Sequence, residues 1–200
     1  MTHTTPSTPM RPTSSELPEP PFARFLFADT RLAPFWLLVR LYVGYEWLIA
    51  GWSKLNNPAG VWVGEKAGTA VAGFVQGALA KTAGEHPDVT GWYATFLREV
   101  ALPNSAAFAY VVTFGEILVG VALIVGFLTG LSAFFGGMMN ASYLLAGTVS
   151  SNPLLFILAT WLVLAWRVAG WWGLDRWVLP RLGALQAGRF PRDPPPYAEA

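Results

Sequence analysis

This sequence of 200 residues describes an all-α membrane protein: a four-transmembrane-helix antiparallel bundle with one long extracytoplasmic loop containing short helices. Three observations lead there. Hydrophobic residues make up 54% of the chain and charged residues only 12%, against about 25% charged in an ordinary soluble domain. Four apolar runs, at about 34–55, 105–127, 130–148 and 153–172, approach the ~20 residues that ~30 Å of hydrocarbon demands. Arg11, Arg24 and Arg31 precede the first run, while Arg167, Arg176, Arg181, Arg189 and Arg192 lie at or after the end of the fourth. By the positive-inside rule both termini are then cytoplasmic, as an even number of spans requires, and the chain is expected to be a multi-pass protein of the plasma membrane.

Residues 1–21 are rich in Pro, Thr and Ser and too poor in apolar side chains to offset the entropy of ordering, so a disordered tail is expected, without the pattern of a signal peptide. Phe22 to Leu32 has the composition of a short interfacial helix leading into the transmembrane domain, 22–182. In the first span, Arg40, Gly44, Trp47, Gly51 and Lys54 recur every three or four residues and share one helical face, with Glu46 about a third of a turn away. Residues 56–103 form the one sizeable loop. Thr69 to Thr82 and Trp92 to Ala101 read as two short helices, either capping the mouth of the bundle or lying in the interface without a role in any site. The second span places Ala109, Thr113, Glu116, Gly120 and Leu123 on one face, and Gly126 to Gly130 turns tightly into the third. There, Ala133, Gly136, Gly137, Asn140, Leu144 and Gly147 form a stripe of mostly small residues suited to close packing. Pro153 starts the fourth span, where its missing N–H is harmless. Trp171, Trp172 and Trp177 form an aromatic belt at its end, Leu174 to Leu185 continues along the interface, and 183–200 is a second loose tail.

Composition also narrows the chemistry. There is no cysteine, which removes disulfides, thiol nucleophiles and iron–sulfur ligation. The two histidines, His3 in the tail and His86 in the loop, leave no pair inside the bundle for a haem and suggest no metal site. A net charge of +1 does not point to nucleic acid. Redox chemistry in this chain therefore requires a dissociable organic cofactor or a partner subunit.

Charges at bilayer depth are costly and normally face a bundle interior. Counted from the span starts at a rise of ~1.5 Å per residue, Glu46, Glu116 and Asn140 all fall near mid-membrane. Arg40 and Arg167 fall in the cytoplasmic third, and Lys54 sits alone at the outer rim. Two carboxylates at one depth are not both ionised without a cation nearby: either one carries a proton, or one pairs with Arg40. Glu116 and Arg40 thus either handle protons or form an internal ion pair that fixes register. Asn140 either bonds one helix to another or contacts a ligand; Arg167 either snorkels to headgroups or points inward; Trp47 and Trp161 either pack the core or stack on a ligand.

The pattern of Arg40, Gly44, Glu46 and Gly51-Trp52-Ser53-Lys54-Leu55, then Gly115-Glu116, Gly120 and Gly126, then Thr129 and Asn140, then Trp166-Arg167 and Gly170, resembles the DoxX family from about Arg31 to Leu182. The loop carrying Trp92-Tyr93 and Phe96-Leu97 before Pro103 looks closer to the DoxD type. The resemblance implies a four-helix membrane subunit of a quinone-linked oxidoreductase, passing electrons from thiosulfate or another small reductant to quinone. It further implies Glu46 and Glu116 as catalytic groups in quinone protonation, Arg40 holding a carboxylate or a quinone oxygen, and Lys54 attracting an anionic substrate; beside Arg40, the residues themselves offer Asn140, Trp47 and Trp161 as cofactor contacts. The implied partners are membrane lipid, quinone and a second oxidoreductase subunit, with a homo-oligomer a further option. Without cysteine the chain cannot form a thiosulfonate adduct. The competing reading is a non-catalytic membrane anchor that recruits a redox or stress-response enzyme.

Overall fold

The computed structural model describes residues 20–183. The tails expected at 1–21 and 183–200 lie outside these residues, apart from Pro20, Pro21 and Gly183. All regular secondary structure among the described residues is helical, with no strand. Helix α1, Pro21–Ala28, is the lead-in expected at Phe22 to Leu32, and a 3-10 turn at Thr30–Leu32 joins it to α2, Ala33–Leu55. The loop carries α3, Thr69–Leu79, and α4, Gly91–Phe96, the latter running into a π-helical turn at Leu97–Ala101. Then follow α5, Ser105–Val125, α6, Thr129–Leu145, α7, Asn152–Leu164, the short α8, Trp166–Ala169, and α9, Asp175–Arg181.

Two helical stretches, Thr30–Leu55 and Ser105–Val125, are long and apolar enough to cross a membrane. Their helices pack against each other in opposite directions. Gly44 on α2 lies against Gly120 and Ile124 of α5, and Gly51 lies against Thr113 and Ile117. The approach is close enough to require glycine: a Cβ on Gly120 would stand 2.5 Å from the Leu48 backbone nitrogen. Lipid supplies no hydrophobic drive between helices, so such backbone proximity is what gains dispersion energy. The pair α6 and α7 is likewise antiparallel, with Gly137 against Ala159 and Gly130 against Trp166.

The helices of the third and fourth expected spans, α6 and α7, are shorter than the sequence suggests. The run 130–148 ends as helix at Leu145 because Gly147 adopts φ +69°, and Thr148 N–H returns to the Tyr143 carbonyl in a closing turn. The run 153–172 is broken at Ala165, so α7 has 13 residues. That length rises ~20 Å, short of ~30 Å of hydrocarbon. Beyond the break, Trp166 lies against Gly130, and α8 packs on α2, α1 and α6.

Two apolar clusters result. One joins Trp36, Trp47, Leu123 and Leu162 along α2, α5 and α7. The other holds α3, α4 and the π turn on the start of α5 through Val75, Val89, Tyr93, Leu97 and Ala109. Lys81 fastens this cap to α6 by donating from Nζ to the Gly147 carbonyl at 2.6 Å. The loop helices are therefore packed onto the membrane helices, not laid apart from them.

Candidate functional site

A cavity of about 500 Å³ opens between α2, α5, α6, the start of α7 and the loop helices. Glu46, Trp47, Ala50 and Lys54 line it from α2, Glu116 from α5, and Asn140 and Tyr143 from α6. Trp62, Phe74 and Tyr93 line it from the loop, and most of the remaining wall is aliphatic or aromatic. Mean depth counted along separate spans thus brings Glu46, Glu116 and Asn140 to one space.

Its ionic centre is a chain of three side chains. Lys54 Nζ lies 2.6 Å from Glu116 Oε2, and Tyr143 donates from Oη to Glu116 Oε1 at 2.9 Å. The side chains of the ion pair are 18% and 2% exposed. Lys54 is expected alone at the rim, and the difference has a local cause. Side chains on a helix lean toward its N-terminus, so Lys54 folds back over its own preceding turn, where Nζ also donates to the Ala50 carbonyl at 3.4 Å. The close contact of Gly51 with α5 brings the carboxylate within reach. Trp62 covers the ammonium from the loop side, with its ring centroid 5.1 Å from Nζ. Tyr143 is in turn braced by Phe74, edge to face at 6.1 Å.

Glu46 differs from Glu116. It is half-buried on the cavity wall, and among the described residues no side chain pairs with its carboxyl. The cavity therefore holds one neutralised carboxylate and one with its lone pairs free.

Arg40 and Trp161 lie elsewhere. Trp161 is 43% exposed on the outer face of α7. Arg40 is at the opposite end of α2, 1% exposed, where Nη2 donates to the Trp172 carbonyl at 3.1 Å. Its guanidinium is packed against Gly126 and Gly173, and a Cβ at either position would collide with Nη1. Ten residues of α5 separate Gly126 from Glu116, or ~15 Å of rise, so the internal pair considered for Arg40 and Glu116 does not form. The acid facing Arg40 is Asp175, 2% exposed. Its carboxylate accepts the backbone N–H groups of Leu128 and Thr129, satisfying two of the orphan donors at the start of α6. Those bonds also hold Leu128 at φ 45°, an unfavourable value for a branched residue. Arg167 is exposed, its guanidinium carbon 5.4 Å from the Trp166 ring centroid.

Among the described residues, three fully buried polar atoms on the cavity residues have no hydrogen-bond partner: Trp47 Nε1, Asn140 Nδ2 and Asn140 Oδ1. The helix-to-helix bond considered for Asn140 is absent. An unsatisfied buried group costs ~1–3 kcal/mol.

Sequence reasoning passed over Tyr143, Trp62 and Asp175. Tyr143 follows Asn140 by three residues and so shares its face, a signal within reach of the helical period. Trp62 and Asp175 had none, since their roles depend on how the loop and the segment after α8 fold back.

Comparison with known proteins gives one family: a family model described as DoxX matches residues 35–148. No curated protein and no solved structure matches the chain.

Proposed function

The chain is a membrane protein belonging to the DoxX family, and from that premise we propose that it is the membrane subunit of a quinone-linked oxidoreductase, passing electrons from thiosulfate or another small reductant to quinone. In this reading α2, α5, α6 and the α7–α8 segment each cross the plasma membrane as a four-helix antiparallel bundle, and both termini are cytoplasmic. The loop helices then cap the cavity on the extracytoplasmic side. The observation that carries the reading is the apolar cavity of about 500 Å³ in which Glu46, Glu116, Lys54 and Tyr143 converge. Its size suits a substituted ring, and its walls suit an apolar one.

When bound, a quinone supplies an acceptor for two electrons and two protons; two thiosulfate anions joined through a new S–S bond would release two electrons. The residues of this chain would hold and protonate. Tyr143 and Lys54 carry the donors of the ionic group, and their separate bonds to the two Glu116 oxygens fix their orientation before a ligand arrives. Glu46, with no competing partner, is the group free to deliver a proton into the cavity. Lys54 and Trp62 lie where the loop meets the membrane helices, the side from which an anionic reductant would approach.

The test is thiosulfate-dependent reduction of a water-soluble quinone analogue by the purified protein, alone and with co-purifying partners. Turnover in the wild type that is lost in Glu116→Gln supports the reading. Turnover unchanged in that variant removes Glu116 from the chemistry, and no turnover under any pairing rejects the reading.

A further inference from the structure

Some buried polar side chains of this protein find partners. Trp36, 0% exposed, donates from Nε1 to the Leu26 carbonyl at 2.8 Å, and Thr113, also 0% exposed, donates to the Ala109 carbonyl at 2.8 Å. Among the described residues, Arg40 Nε and Nη1 and Thr129 Oγ1 are unpartnered away from the cavity; Trp47, 3% exposed, and Asn140, 0% exposed, are the buried unpartnered side chains that line it. They are also neighbours in the fold. The Trp47 indole lies against Gly136, where a Cβ would stand 2.9 Å from Nε1, and Asn140 is one turn further along the same face of α6.

We infer that Trp47 and Asn140 form a neutral hydrogen-bonding subsite of the cavity, which takes the uncharged polar edge of the ligand, a ring carbonyl or hydroxyl oxygen. The chemistry is set by the atoms on offer. Trp47 Nε1 and Asn140 Nδ2 are donors, and Asn140 Oδ1 is an acceptor. Two donors suit a carbonyl oxygen, and the acceptor suits a hydroxyl formed at or near the same position. One pair of residues therefore fits both the oxidised and the reduced form of a ring, without a charge that would favour either. The ionic group, Lys54 with Glu116, is held separately by Tyr143 and Trp62 and stays out of this subsite. Naming the ligand class rests on the quinone reading above; the existence of the subsite does not.

The two are separable by experiment. Full-length protein in lipid nanodiscs, labelled with ¹⁵N at the tryptophan indoles, is titrated with a short-tailed benzoquinone, and Trp47→Phe assigns the Trp47 resonance. The inference expects that resonance to shift and saturate, and Asn140→Leu and Trp47→Phe to weaken binding roughly tenfold each, as the loss of one hydrogen bond to a buried group implies. Trp177→Phe, an exposed position, should bind as the wild type does. Trp47→Phe removes only the N–H, so it decides the matter even where Asn140→Leu does not fold. A Trp47 resonance that responds to bulk water exchange but not to saturating quinone overturns the inference, as does wild-type affinity in both variants. Turnover is followed in parallel. A responsive Trp47 without turnover keeps the subsite and rejects the redox reading, turnover with a silent Trp47 does the reverse, and neither signal rejects both.

Discussion

Lys54 bends back along its own helix to place Nζ 2.6 Å from Oε2 of Glu116, sixty-two positions later in the chain, and this pair sets the charge of the cavity. Only 2% of the Glu116 side chain is exposed, so its ionised form depends on that ammonium. Removing one partner of such a pair costs ~3–5 kcal/mol, more than removing both. Lys54→Met should therefore lower the midpoint of thermal unfolding in detergent more than Glu116→Gln does, and the double variant should recover part of the loss. Additive losses in the double variant would show that the two side chains do not depend on each other.

At the other end of the molecule, the Asp175 carboxylate accepts from the first N–H groups of α6 and is the acid whose charge acts on Arg40. Asp175→Ala should destabilise by ~1–2 kcal/mol through the uncapped donors, and somewhat more through the lost charge near buried Arg40. Adding Arg40→Met should restore part of that loss by removing the stranded charge. Differential unfolding of the two variants in the same detergent is the measurement.

Glycine positions should divide sharply. Gly120→Ala puts a Cβ 2.5 Å from the Leu48 backbone nitrogen and forces α2 and α5 apart, a cost of ~1–3 kcal/mol. Gly77→Ala on α3 meets nothing within 4 Å and removes the entropic handicap of glycine in a helix, so it should be neutral or stabilising by up to ~1 kcal/mol. Unfolding midpoints of the two variants compared with wild type check this.

Tyr143→Phe removes the hydrogen bond to Glu116 Oε1 while keeping the ring against Phe74. It should reduce quinone reduction by about 10- to 100-fold, in line with the ~1.5–3 kcal/mol of a charge-assisted bond, and leave the unfolding midpoint within a few degrees of wild type. Steady-state rates at saturating quinone analogue are the readout.

Much of this architecture is legible in the sequence because spans obey a strict period. The buried face of α2, from Arg40 through Gly44, Trp47 and Gly51, and that of α5, from Ala109 through Thr113, Glu116, Gly120 and Leu123, follow from spacing alone. Both loop helices fall within the segments read as helical, Thr69 to Thr82 and Trp92 to Ala101, apart from Gly91 at the start of α4. What spacing cannot supply is the path of a long side chain. Depth counted along a helix locates the Cα of Lys54 at the rim, whereas its ammonium lies below that level at Glu116. Nor does a uniformly apolar run disclose its inward face: α7 hides Leu155, Ala159 and Leu162 and leaves Trp161 outside. Asp175 is visible only once the chain after α8 has folded back onto the end of α5, through Leu174 N–H to Val125 O and Asp175 N–H to Gly126 O.

The claim on which the account turns is that the cavity between Glu46, Glu116 and Asn140 is where quinone binds. Photolabelling of the protein in native membranes with an azido-benzoquinone, followed by mass-spectrometric mapping, tests it directly. The account predicts adducts within the cavity wall, between Glu46 and Lys54 or between Asn140 and Tyr143, displaced by excess unlabelled quinone. Adducts confined to exposed positions outside the cavity such as Trp161, or labelling that excess quinone does not displace, would contradict it.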